Sequence, residues 1–160
     1  MVKGLPSEKE IWKCLEEIED PEVPALSIID LKIVNSVEVH GKTVNVVITP
    51  TFVGCPALDM IAGSIQDKLL KVGFKAVDVK KNFAVRWSTD MLDRQARDKL
   101  EAFGIAPPSH SDTVVVELPT LCPHCKSAHT QIENPFGATL CKQLYYCNSC
   151  RQSFEKFKTL

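Results

Sequence analysis

Apolar residues recur at helical spacing in three stretches of this chain and alternate in several others. Ile11, Cys14, Leu15 and Ile18 repeat every three or four residues, and Ser7 and Glu10 stand at capping-box spacing. A first helix is therefore predicted over about residues 8–18. Asp20-Pro21 breaks it, and Pro24 keeps the next segment irregular. Residues 33–39 read as a strand and His40-Gly41-Lys42 as a turn. Val44, Val46 and Ile48 then alternate along residues 43–49, which completes a β-hairpin. Pro56 suits the first position of a second helix, whose buried face is Leu58, Ile61, Ile65, Leu69 and Val72. Gly73 stops that helix, with Phe74 placed to pack back. Val77, Val79, Phe83 and Val85 predict a third strand. Residues 90–103 predict a third helix carrying Leu92, Ala96, Leu100 and Phe103, with Asp90 as a cap and Gly104 at its end.

Pro107-Pro108-Ser109-His110-Ser111 has linker composition, and Val114–Val116 read as a short strand after it. Further strands are predicted around 128–133 and 152–158, with one between them carrying Leu140, Leu144 and Tyr146. The order of elements predicts an α+β protein: a small α/β sandwich followed by an all-β zinc-ribbon-like domain. The expected division is a domain over 1–106, a linker and lead-in strand over 107–118, and a ribbon over 119–160.

Composition adds limits. With 44% hydrophobic and 24% charged residues over 160 positions, the chain suits one ordinary domain plus a small one. No apolar run approaches the ~20 residues that cross a bilayer. The N-terminus shows no secretory pattern, so a cytoplasmic protein with no membrane partner and reduced thiols is expected. Residues 1–106 hold 14 Lys/Arg against 16 Asp/Glu, and residues 107–160 hold 5 against 4. No basic excess exists to grip phosphates, so nucleic acid is not an expected partner.

The cysteines carry the chemistry. Cys122/Cys125 and Cys147/Cys150 form two C-x-x-C pairs with 21 residues between them, and five of the seven cysteines lie in the last 39 residues. Two such turns facing each other make an S4 cage suited to structural zinc. A rubredoxin-like iron or an iron–sulfur cluster can use the same thiols, and disulfides are a lesser alternative. His124 and His129 read as solvated, because four cysteines already close the shell. Cys141 lies outside the frame, as a fifth or exchange ligand or a buried strand residue. Cys14 reads as core. Cys55 follows a strand and precedes a helix, in Thr51-Phe52-Val53-Gly54-Cys55-Pro56. Backbone amides and the helix dipole there are expected to lower its pKa, with Thr51 offering a hydroxyl to the sulfur. The alternative is a small buried plug. Asp20, Glu22 and Asp30 flank the first loop and could supply oxygen ligands or a base near Cys55, or simply be solvated.

These residues carry a resemblance. Asp20-Pro21-Glu22-Val23-Pro24, Ile29-Asp30-Leu31, Pro50 to Pro56 and Trp87-Ser88-Thr89-Asp90 are similar to the MIP/SufT-type iron–sulfur assembly family over about residues 7–106. In that family the cysteine between the Thr and the Pro is taken as reactive or metal-binding, and it maps onto Cys55. The loop acids map onto Asp20 and Glu22. Lys32 stands at the family's usual Gly, and Arg86 at a common Pro. Gly104 to Pro108, Cys122-Pro123-His124-Cys125, Phe136 to Lys142 and Tyr146 to Cys150 extend the likeness to nearly the whole chain. In this joined form the chain resembles the PaaD (PaaJ) family, accessory proteins of the bacterial phenylacetyl-CoA ring-epoxidising oxygenase.

The resemblance implies a maturation factor for phenylacetate catabolism rather than a turnover enzyme. It would help assemble or deliver the iron–sulfur cluster or iron of the oxygenase complex or its reductase. Zinc would sit in the ribbon, and Cys55, with Cys141 as a further candidate, would hold the cargo transiently. Implied partners are the oxygenase or reductase subunits and the iron–sulfur assembly machinery, with a homodimer also open. The rival reading is a non-catalytic scaffold subunit of the oxygenase.

Overall fold

A computed structural model describes residues 5–109 and 119–160. The chain divides into two compact units between Trp87 and Ser88. The expected strand at Val114–Val116 lies outside the described residues.

In the first unit, helix α1 spans Glu8–Glu16. Its capping box is complete: Ser7 Oγ accepts the Glu10 amide, and the Glu10 carboxylate accepts the Ser7 amide at 2.7 Å. Ile11 and Leu15 are fully buried, whereas Cys14 is only half-buried at the edge of that face and is not the core residue expected. Strands β1 (Val34–His40) and β2 (Thr43–Ile48) pair antiparallel, with a register shift between Val34 and Ser36. Val44, Val46 and Ile48 are fully buried, as their alternation requires.

Helix α2 spans Ala57–Lys71 and crosses over to β3 (Ala76–Lys81), which runs parallel to β2. Pro56 is the N-cap rather than the first helical residue. At the other end Gly73 takes φ 114°. Its amide reaches the Leu70 carbonyl, and the Phe74 amide reaches that of Leu69. This is a Schellman stop that buries Phe74 against the helix, and Val72 is the half-buried C-cap. The sheet order is β1-β2-β3.

The third strand is shorter than its pattern suggests. It ends at Lys81, and Phe83 and Val85 are exposed. The Asn82 side chain accepts the Ala84 amide at 3.0 Å, and this local turn ends the ladder.

The second unit opens on a 3-10 turn, Thr89–Met91, followed by helix α3 over Arg94–Ala102. The predicted 90–103 helix is therefore interrupted. Asp93, not Asp90, is the cap: its Oδ1 accepts the Ala96 amide at 2.9 Å. Phe103 falls on the C-cap and is exposed. Strand β4, only Ile105–Ala106, pairs parallel with β7 at Glu155 and Lys156, a strand the sequence pattern does not reveal.

The ribbon strands are β5 (Thr130–Asn134), β6 (Lys142–Cys147) and β7 (Gln152–Phe157), in sheet order β4-β7-β6-β5. Leu140 lies outside β6 and is exposed.

Candidate metal and thiol sites

The two C-x-x-C turns fold alike. The Lys126 amide bonds back to the Cys122 carbonyl at 2.9 Å, and the Arg151 amide to that of Cys147 at 2.8 Å. Lys126 and Arg151 adopt φ 62° and 60°, a left-handed step that L side chains tolerate poorly. The Ser127 and Ser149 hydroxyls join the two turns at 2.7 Å.

The sulfurs of Cys122, Cys125, Cys147 and Cys150 all lie within 4.8 Å of one another. Cys122 and Cys150 are 3.7 Å apart, and Cys125 and Cys147 3.5 Å. A tetrahedral site with metal–sulfur bonds of about 2.3 Å has sulfur–sulfur edges of about 3.8 Å, so the cage fits a metal. The cysteines are free, and these separations far exceed a disulfide bond of about 2.05 Å. Cys122 and Cys147 are buried in a small cluster with Ala106 and Phe154, against which Tyr145 and Cys150 pack.

Electrostatics prepare this cage for a cation. The Cys150 amide, with that of Ser149, points at the Cys147 sulfur and lowers its pKa to about 6. Burial, then the neighbouring thiols, push Cys150 up to about 12. Without metal the four sulfurs cannot ionise together, because like charges at this distance repel; a bound cation removes that obstacle. His124 and His129 are exposed, and Cys141 is not one of the four. Cys141 is buried, with the Thr139 hydroxyl 3.1 Å from its sulfur.

Cys55 is a different kind of thiol. It is half-buried, one residue before the N-cap of α2. Its amide donates to the Phe52 carbonyl at 3.2 Å, and its carbonyl accepts the Leu58 amide. The backbone amides of Ala57 and Leu58 favour its ionised form, so the helix start does act on it. Its pKa nevertheless moves upward, against the lowering expected from position. Burial is the largest cause. The Ala57 amide opposes it, and the negative charges of Glu22 and Asp20 then add to the rise. The Thr51 hydroxyl is not among the groups that set this thiol.

The loop acids divide by role. Asp20 is buried, and its Oδ1 accepts the Glu22 and Val23 amides at 2.8 Å each, so it shapes the loop. Asp30 forms a reciprocal cap with Ser27: its Oδ2 accepts the Ser27 amide and hydroxyl, and Ser27 Oγ accepts the Asp30 amide, all at 3.0 Å. Asp20 and Glu22 both act on Cys55 through charge. Among the described residues, however, these groups do not converge into a second ready ligand set like the four-cysteine cage.

The sequence places Trp87 in a family motif but does not reveal that it anchors this loop. Trp87 is buried, and its Nε1–H donates to the Leu31 carbonyl at 2.7 Å across 56 positions. Lys32, next in the chain, takes φ 55°. The lysine thus adopts the left-handed turn that a glycine would otherwise make, at a cost of about 1–2 kcal/mol.

Two family models match separate stretches of the chain. Residues 8–80 match the iron–sulfur cluster assembly protein model, and residues 106–158 the PaaD zinc beta ribbon domain. A protein of Escherichia coli K12, named as one of the subunits of "Putative 1,2-phenylacetyl-CoA epoxidase", is 40% identical over 156 residues, spanning 97% of this chain and 94% of that one. The chain belongs to the PaaD family. A Porphyromonas gingivalis protein named "Fe-S protein maturation auxiliary factor" is 33% identical over 94 residues, or 58% of this chain and 89% of that one.

Two solved structures share the fold of about three fifths of the chain. A DUF59 domain from Bacillus anthracis superposes with a TM-score of 0.53 at 24% identity, covering 58% of this chain and 90% of its own. A conserved hypothetical protein from Thermotoga maritima gives the same score and identity, over 62% and 98%. Among the described residues no helix is long and apolar enough to cross a membrane.

Proposed function

We propose that this protein is an accessory factor that helps mature the metal centre of a phenylacetyl-CoA epoxidase, with Cys55 as the transient holder of iron or an iron–sulfur cluster. The observation that carries this reading is the surroundings of Cys55. A half-buried thiol is acted on by two helix-start amides, which favour its ionised form, and by the negative charges of Glu22 and Asp20, which oppose it. A thiol whose pKa is raised stays protonated until a cation arrives. Iron displaces the proton, the carboxylates favour the incoming positive charge, and the thiolate so formed recovers a proton readily. Such a ligand holds metal weakly enough to hand it on. The matches to an iron–sulfur assembly model and to relatives named for epoxidase and maturation support the same reading.

The ribbon cysteines Cys122, Cys125, Cys147 and Cys150 hold a structural zinc ion in this account. Their role is to fold the second unit. Cys141 remains a buried neighbour of Thr139 and takes no part in the proposed transfer.

Anaerobic purification of the wild type beside Cys55→Ala and Cys141→Ala, followed by iron, sulfide and zinc analysis, tests the proposal. Iron lost only in Cys55→Ala, with zinc retained in all three, supports it. Normal epoxidase maturation by Cys55→Ala overturns it. The raised pKa of Cys55 also favours a second reading, a scaffold subunit in which that thiol only packs. Stable stoichiometric co-purification with an epoxidase already active without this protein would establish that role instead.

A further inference from the structure

Strands β2 and β3 run parallel and end side by side, Ile48 opposite Lys81, with the Asn82 amide donating to the Ile48 carbonyl at 2.7 Å. The chain leaves β2 into the loop that carries Cys55 and leaves β3 into the segment that leads to Trp87. Helix α2 begins at the same end, tied there by the ion pair of Lys81 with Asp59 in its first turn. Three large apolar side chains stand in the open at this end. Val53 is 86% exposed two residues before Cys55, Met60 is 64% exposed in the opening of α2, and Phe83 is 60% exposed just past β3.

The core does not use them, since Val44, Val46 and Ile48 fill the buried face of β2. Fully burying such a side chain is worth about 1.5–3 kcal/mol, so a group of them left in water marks a contact surface. The Lys81–Asp59 pair at the rim is neutralised within itself. That pair leaves no net charge of its own to oppose apolar contact.

We propose that Val53, Met60 and Phe83 form the docking face for the protein that receives metal from Cys55. That partner is a folded client presenting cysteine ligands inside an apolar rim. The inference rests on the delivery role of Cys55 set out above. Size separates a client from a second copy of this chain. Three side chains offer a few hundred Å2, well short of the ~800 Å2 per partner that a stable complex buries. A client must leave after transfer, and a small contact permits that. Transfer is a ligand exchange without electron movement. The iron–sulfur bond to Cys55 breaks as one to a client cysteine forms, the client thiol gives up its proton, and Cys55 takes one back.

The test uses full-length protein loaded anaerobically with ferrous iron and sulfide, and the purified metal-free subunits of the epoxidase and its reductase as clients. The triple variant Val53→Ser, Met60→Gln, Phe83→Ser alters exposed positions, and tryptophan fluorescence checks that it folds. It should load iron at the wild-type level but bind and charge the client about tenfold less well or worse. Cys55→Ala should bind the client normally and deliver nothing. Client binding and charging equal to wild type in the triple variant would overturn the docking face. Sedimentation showing a wild-type dimer that the triple variant abolishes would also overturn it, in favour of a second copy. A wild type that loads no iron would instead sink the delivery role, and the binding comparison would then judge the face by itself.

Discussion

Among the described residues, ten of the twelve largest fully buried side chains lie in the first unit, and the second holds only Leu100 and Phe157. The first unit folds around aliphatic side chains from α1, β2 and α2. The second gathers Cys122 and Cys147 into its small cluster with Ala106 and Phe154. A short ribbon cannot bury enough apolar surface to offset its chain entropy, and a metal ion in the cage would supply what is missing. The same contrast governs the thiols. In the cage, amides lower Cys147 to about 6. At Cys55 two amides are outweighed by burial and two carboxylates. The cage holds thiols that only a cation would let ionise together, whereas Cys55 is a single thiol that keeps its proton.

The sharpest way to break this comparison is to remove the metal. A structural site contributes about 10–16 kcal/mol, so chelation should unfold the ribbon and leave the first unit standing. The chain carries its own reporters: Trp12 and Trp87 lie in the first unit, Tyr145 and Tyr146 in the second. Near-ultraviolet circular dichroism should lose the tyrosine bands while tryptophan emission holds. A simultaneous change in tryptophan emission would mean that the two units do not differ as described.

The converse test strikes the aliphatic core. Ile65→Ala empties a fully buried position in α2 and should destabilise the first unit by about 2–5 kcal/mol in urea titration, with zinc content unchanged. A smaller effect follows at the loop anchor. Trp87→Phe leaves the buried Leu31 carbonyl without its indole donor and should cost about 1–3 kcal/mol, read from Trp12 emission.

The finest distinction is in pH. The folded-state pKa of Cys55 lies above its unfolded value, so its contribution to stability is full below about 8.5. That contribution is lost as pH rises towards the folded value, because the unfolded chain ionises first. Iodoacetamide should therefore label Cys55 slowly at pH 7 and faster only beyond the ordinary thiol range. Metal-free Cys147 has the opposite sign. Its contribution is present above the unfolded thiol range and is lost as pH falls through about 6.

The legible parts of the chain were those whose physics is local. The Ser7–Glu10 box, the alternation through Val44 to Ile48 and the Gly73 stop each lie within a few residues, and each stands as read. The same holds for the four-cysteine cage, because C-x-x-C spacing builds each half of the site independently. Where the reading slipped, a competing local bond or a distant partner decided. The Asn82 turn cut β3 short, Asp93 capped α3 in place of Asp90, and β4 exists only through pairing with β7, some fifty residues away.

Periodicity and cysteine spacing by themselves determined the α+β class, the buried face of α2 from Leu58 to Leu69 and the convergence of four cysteines, since each arises from neighbours along the chain. Only the tertiary structure decided the state of Cys55. Its amides are sequence neighbours, but the burial and the charges of Asp20 and Glu22 reach it through space. Electrostatic fields depend on distance in the folded molecule, not on separation along the chain, and no local pattern records them.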